Sequence, residues 1–219
     1  MLNSKKDLTE FFFLLICADI LFMLLHLLHT YTSYFHDTNY SIQTDRGFAE
    51  VFQYLKGYWI VLMFFWLSLA KSYSYLAWLC LFAYLVVDDS FELHERLGLV
   101  VANYFDYQPM LMLRVWDFGE LTASAIMGTV FLTMVGVVYY WGSDDFRRTC
   151  KRLVILLLLL VFFGVLVDMI HIMISTSSIF HELAGLLEDG GELLVMSVIC
   201  WYVLKLLRQA RGLVSVEAG

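Results

Sequence analysis

The sequence predicts an all-α, polytopic integral membrane protein. It has six transmembrane helices arranged as three hairpins, and the last two hairpins form an internal repeat. Three observations predict it. Of the 219 residues, 61% are hydrophobic, well above the 45–50% usual for soluble domains. Six apolar runs are long enough to cross a bilayer, which takes about 20 residues each. Basic residues gather at alternate connections between those runs. One Pro in the whole chain also argues against a loop-rich soluble fold.

The spans are expected at 11–30, 52–70, 73–94, 118–141, 153–174 and 187–207, within a single transmembrane domain covering 1–219. The run Phe11 to Leu28 has no small-residue cleavage site and is read as a mature helix. The second and third spans are separated only by Lys71-Ser72, a tight turn. Reading 57–87 as one helix would make a rod of about 46 Å, too long for a core of about 30 Å.

Charge sets the orientation. Ten basic residues lie at one set of ends: Lys5, Lys6, Lys71, Arg147, Arg148, Lys151, Arg152, Lys205, Arg208 and Arg211. Four (Arg46, Lys56, Arg96 and Arg114) are assigned to the other. The positive-inside rule then puts both termini in the cytoplasm and 31–50, 95–116 and 175–186 outside. The expected setting is a bacterial inner membrane. A net charge of −7 does not point to nucleic acid, because the acids are localised. Fifteen of the 21 acids, and all six His, fall at or beyond the outer helix ends. The four Cys form neither a disulfide framework nor a Cys-x-x-Cys motif.

Two stretches carry a recurring pattern. Val87-Asp88 and Val167-Asp168 each end an apolar run. His94-Glu95-x-x-Gly98 and His181-Glu182-x-x-Gly185 follow. Asp117-x-Gly119-Glu120-Leu121 and Asp189-x-Gly191-Glu192-Leu193 close the copies. The expected repeat units are 73–141 and 153–207, related by rotation about the membrane normal, with Gly98 matching Gly185 and Glu120 matching Glu192. Ala18-Asp19, His26, Asp45-Arg46-Gly47 and Glu50 suggest a weaker third copy.

Depth singles out the candidate site. Asp88 and Asp168 stand about 24–26 Å from the basic edge, still inside a core of about 30 Å. Ionisable groups at such depth are costly and usually face protein or water. Asp88, Glu92 and Glu95 share one helical face, as do Asp168 and His171, and Glu188 and Glu192. Carboxylates and imidazoles at matching height suit a hard or borderline divalent metal such as zinc, iron or manganese. The candidate ligands are Asp88, Glu92, His94, Asp168, His171, His181, Glu188 and Glu192, expected to converge in one outward-facing pocket. His-Glu-x-x-Gly is not the zinc-protease motif, because Gly98 and Gly185 replace its second His. Helix capping explains Asp117, Glu188 and Asp189 equally well. Gly119, Gly190 and Gly191 are read as allowing close helix packing, and Asp19 is the deepest and most isolated acid.

The functional expectation is a small multi-pass protein with a metal in this pocket, extending to metal-dependent attack on a lipid or lipid-linked substrate. The alternatives are a proton or cation conductor and a non-catalytic partner subunit. The nearly uncharged inner half of every helix favours a one-sided site over a continuous relay.

Overall fold

The computed structural model describes residues 4–109, 114–174 and 179–212. The protein is 87% helix, without strands among the described residues. Six helical spans are long and apolar enough to cross a membrane: Lys5–Tyr31, Phe48–Ala70, Tyr73–Phe91, Val115–Trp141, Asp144–Met173 and Ile179–Ala210. Their outward faces carry large bare side chains. Phe13 and Leu14 on the first span are each 66% exposed, and Val130 and Leu158 on the fourth and fifth are similarly open. A water-soluble monomer rarely shows apolar patches of this extent, whereas lipid covers them at no cost.

The helices are α1 (Ser4–Tyr31), α2 (Phe48–Ala70), α3 (Leu76–Phe91), α4 (Leu93–Phe105), α5 (Val115–Trp141), α6 (Asp144–Val161), α7 (Asp168–Met173) and α8 (Ile179–Ala210). A π-helical segment, Phe162–Val167, joins α6 to α7. The bundle is built around α8. In its most apolar stretch 61% of residues are buried, against 11–39% in the other five spans. Helices α1, α2, α6 and α7 all pack on it. Its small residues allow this: a Cβ at Gly190 would strike the Met23 methyl, and one at Gly191 the Phe163 ring. The close-packing role expected of these glycines is borne out.

The two ends of the bundle differ. The end bearing Lys71 and Arg147, here the basic end, is closed by Lys71–Asp145 at 2.5 Å and Arg208–Asp7 at 3.8 Å. Lys71 is half-buried, which pulls its pKa down, but its interactions with Asp145 and Tyr75 together outweigh this and the net shift is upward. Next to this end lies a dry core. Ile60, Phe64 and Leu67 recur on one face of α2 and meet Trp78 and Phe82 of α3 and Ile199 and Val203 of α8. Phe64 stacks on Phe82 with ring centroids 5.6 Å apart. The acids collect at the opposite, acidic end.

Several expectations need correction. The third span stops at Phe91 rather than 94, because Glu92 takes left-handed backbone (φ 53°) and turns the chain into α4. The segment 95–116, expected as a loop, therefore contains a helix. At 13 residues and about 1.5 Å each, α4 is too short to span the membrane. It lies against α5 so closely that a Cβ on Gly119 would overlap the Gly98 carbonyl oxygen. The last span begins at Ile179, not 187, and so includes Glu182, which the expected 187–207 span left out. The repeat is not confirmed. His94-Glu95-x-x-Gly98 and Asp117-x-Gly119-Glu120 lie on separate helices, whereas both parts of the second copy lie on the single helix α8. The shared sequence pattern thus has two different backbones.

Candidate functional site

The deepest polar group was only half visible in the sequence. Asp19 of α1 is fully buried, and its partner is Lys56 of α2, also fully buried. Lys56 lies eight residues into α2, about 12 Å from its start, not at the acidic surface where the charge count placed it. Its Nζ donates to Asp19 Oδ1 at 2.9 Å, to the Leu193 carbonyl at 2.7 Å and to Ser197 Oγ at 3.2 Å. Ser197 Oγ in turn donates to Asp19 Oδ2 at 2.5 Å. The ammonium also lies 4.9 Å from the Phe52 ring centroid. All three ammonium hydrogens have an acceptor, which is the condition for a buried ion pair to be tolerated. With Lys56 placed inside, the basic asymmetry becomes ten against three.

Directly beyond this pair, toward the acidic end, a cavity of about 120 Å³ opens between α2, α8 and the 42–45 turn. At about 30 Å³ per water it holds roughly four waters. Asp45, Glu50, Asp89, Asp189 and Glu192 line it, together with Gln43, Gln53 and Leu193, and no Lys, Arg or His is among its lining residues. Gln53 Nε2 donates to Glu192 Oε2 at 2.9 Å. Gln53 and Lys56 are one turn apart on α2, and Glu192, Leu193 and Ser197 follow on α8. A polar column therefore descends from the cavity to the ion pair and stops at the apolar core. Gly164 of the π segment allows Glu192 its place, since a Cβ there would overlap the Glu192 carboxylate.

The expected ligands do not all meet. Glu192 faces this cavity. Asp88 pairs with His94 (Oδ2 to Nδ1, 3.3 Å), and that hydrogen bond pushes the His94 pKa up, against the downward pull of burial. Glu92 turns to the half-exposed Arg46 at 2.5 Å. His171 Nδ1 lies 2.7 Å from Glu188 Oε2, and Glu188 is hydrogen-bonded to Asp168. His181 stacks beside His171 with ring centroids 4.2 Å apart. The set is thus divided among four neighbouring groups. Among the described residues no cluster of three or more His, Cys, Asp or Glu side chains is arranged to hold a metal ion. The left-handed backbone at Glu92 ends α3 and starts α4, so Asp88 and His94 lie on separate helices.

The capping alternative is resolved for all three positions. Asp117 caps α5, accepting the Arg114 N–H at 2.6 Å and the Arg114 side chain at 2.9 Å. Glu188 and Asp189 do not cap, because α8 starts at Ile179, nine residues before Glu188. Asp89 escaped the sequence reading because its neighbour Asp88 carried the repeated pattern. Asp45 and Glu50 entered the sequence reading only as parts of a weaker third copy and Gln53 did not enter it; the i, i+3 spacing of Glu50, Gln53 and Lys56 was the available signal.

The stretch 47–206 matches the model of a family described as a domain of unknown function, DUF8692. The chain belongs to this family. The match covers well over half of the sequence and takes in Glu50, Gln53, Lys56, Asp89, Asp189 and Glu192, while α1 with Asp19 lies outside it. No curated protein and no solved structure matches the chain.

Proposed function

We propose that this DUF8692 protein is a multi-pass membrane protein that takes a small cation into the carboxylate-lined cavity from the extracytoplasmic side. The observation that carries the reading is the cavity itself: five carboxyl groups around about 120 Å³ with no basic side chain in the lining. Like charges held this close repel, and protons or a bound cation must offset them. A hydrated divalent ion suits the donor set. Oxygen ligands match magnesium, calcium or manganese, and magnesium in particular keeps several of its waters. Hydration also removes the need for three protein donors within direct coordinating distance.

The extracytoplasmic placement follows from the basic asymmetry. The conductor alternative meets the apolar core beneath Lys56, where Ile60, Phe64, Leu67, Ile199 and Val203 are fully buried. The column therefore supports a dead-end site rather than a path. Hydrolysis of a lipid-linked substrate would build on the same cation, with a spare carboxylate as base.

Manganese titration of the purified full chain in detergent, followed by the electron paramagnetic resonance of the free ion, tests the reading. Saturable binding is expected, weakened at least tenfold in the Asp189→Asn/Glu192→Gln double variant. Absence of saturable binding in the unaltered protein, or equal binding in the double variant, would overturn it.

A further inference from the structure

A second site of different chemistry lies beside the cavity. His171 of α7 and His181 of α8 stand with ring centroids 4.2 Å apart and planes 44° apart. His171 Nε2 and His181 Nδ1 are both buried and have no hydrogen-bond partner among the described residues. A buried imidazole nitrogen left bare forfeits its hydration with nothing in return, so two adjacent ones point to something that engages them. The other nitrogen of His171 is held by the Glu188 carboxylate at 2.7 Å. A carboxylate on one imidazole nitrogen fixes the tautomer and leaves the opposite nitrogen with a free lone pair. Metal-ligating histidines are oriented in this way. The wall around the pair is closely packed and brings Gln43 against it. Gly185, one turn after His181, supplies no side chain, and a Cβ there would stand 3.0 Å from His171 Cε1 and overlap the Gln43 amide. The Gln43 amide nitrogen is itself buried without a partner among the described residues, so this side chain too is uncommitted.

We infer that His171 and His181 form a two-nitrogen site for a borderline transition-metal ion of the zinc, cobalt or copper class, with Glu188 as the positioning residue. Imidazole selects these ions over magnesium and calcium. His171 Nε2 is the fixed donor. Rotation of His181, whose Nδ1 has no hydrogen-bond partner among the described residues, would bring the second nitrogen to about 2.0–2.1 Å from the shared ion. Water and the Gln43 side-chain carbonyl, exposed by a turn of its amide, complete the coordination. Two protein donors leave open positions, as a catalytic or exchanging site requires and a structural one does not. The inference does not rest on the carboxylate cavity, whose oxygen donors take a harder ion.

Cobalt(II) titration of the purified full chain in detergent, read by visible absorption, tests the site. One saturable equivalent is expected. His171→Ala and His181→Ala should each weaken binding at least tenfold, and Glu188→Gln by roughly 10–100-fold. Asp189→Asn/Glu192→Gln and His36→Ala, the latter at an exposed loop position, should leave it unchanged. Copper(II) bound to the unaltered protein, examined by electron spin-echo modulation, should show imidazole nitrogen coupling whether or not the variants fold. Absence of that coupling overturns the inference, as does cobalt binding that survives the His171→Ala/His181→Ala double variant. Cobalt binding lost in the cavity variant instead would assign the ion to the carboxylates. Failure of manganese binding with intact cobalt binding would remove the cavity reading alone.

Discussion

Lys56 and Asp19 show how much a buried charge depends on its partner. Each alone would be an uncompensated ion in the low-dielectric interior, and breaking such a pair costs about 3–5 kcal/mol. Lys56→Met and Asp19→Leu are therefore each expected to destabilise the protein by about that amount, measured by denaturant unfolding in detergent. The double variant should be less destabilised than either single one, because no orphan charge remains. A double variant as unstable as the sum of the singles would show that the pair is not acting as a unit. His94 makes a smaller and pH-dependent contribution. Its pKa is raised in the folded protein, chiefly by the hydrogen bond to Asp88. A raised folded value means the contribution is fully present below the unfolded value, about 6.5, and is lost as pH rises through the folded one. His94→Ala should thus cost more stability at pH 6 than at pH 9. Because a third of the His94 side chain is exposed, the difference is screened and modest. Asp88→Asn should sharply reduce it, leaving the smaller pull of Glu95 and Glu120; a His94→Ala cost independent of pH would refute the pairing.

At the scale of elements, the glycines report which helices touch. Gly119 faces the Gly98 backbone with no room for a Cβ, whereas Gly128, farther along the same helix, faces open space. Gly119→Ala should force α4 off α5, at roughly 1–3 kcal/mol. Gly128→Ala should be neutral or stabilise by about 0.5–1 kcal/mol, since alanine loses less conformational entropy on entering a helix. Thermal unfolding of the two variants in the same detergent checks the contrast, and equal shifts would refute the α4–α5 contact. The six spans were legible in the sequence because apolar length is a one-dimensional signal. Helix α4 was not, because its apolar face alternates with His94, Glu95 and Arg96 in a stretch that reads as a polar loop. The early start of α8 was hidden for a related reason. Hydropathy assumes a lipid neighbour, and α8 has protein neighbours on most sides. The site was legible as a level in the membrane but not as a grouping. Helical spacing puts Asp168 and His171 on one face, yet which groups then face each other depends on the turn at Glu92 and the π segment after Val161. Neither carries a Pro, and neither backbone departure is written in a motif.

For the whole molecule, the decisive asymmetry is that charge and burial run in opposite directions along the bundle. The basic end is tied by surface ion pairs over a packed aromatic and aliphatic core, while the acidic end holds the cavity, the paired histidines and fifteen of the 21 carboxylates. Removing Lys56 from the surface count strengthens the topological argument, because only Arg46, Arg96 and Arg114 then oppose ten basic residues at the other end. The positive-inside rule weighs Lys and Arg near the ends of spans, so a ten-to-three bias predicts that the basic end lies in the cytoplasm. Single cysteines at exposed positions test this directly. His36→Cys and Asp106→Cys lie in connections at the acidic end, and Arg148→Cys lies at the basic end. The four native cysteines interfere little: Cys17 and Cys80 lie within apolar spans, and Cys150 and Cys200 are buried. A membrane-impermeant maleimide added to intact cells should label the first two variants, and should label Arg148→Cys only after the membrane is opened. The reverse pattern would turn the molecule over. It would also move the carboxylate cavity to the cytoplasmic face, where it would meet a different pool of ions and a membrane potential of opposite sense.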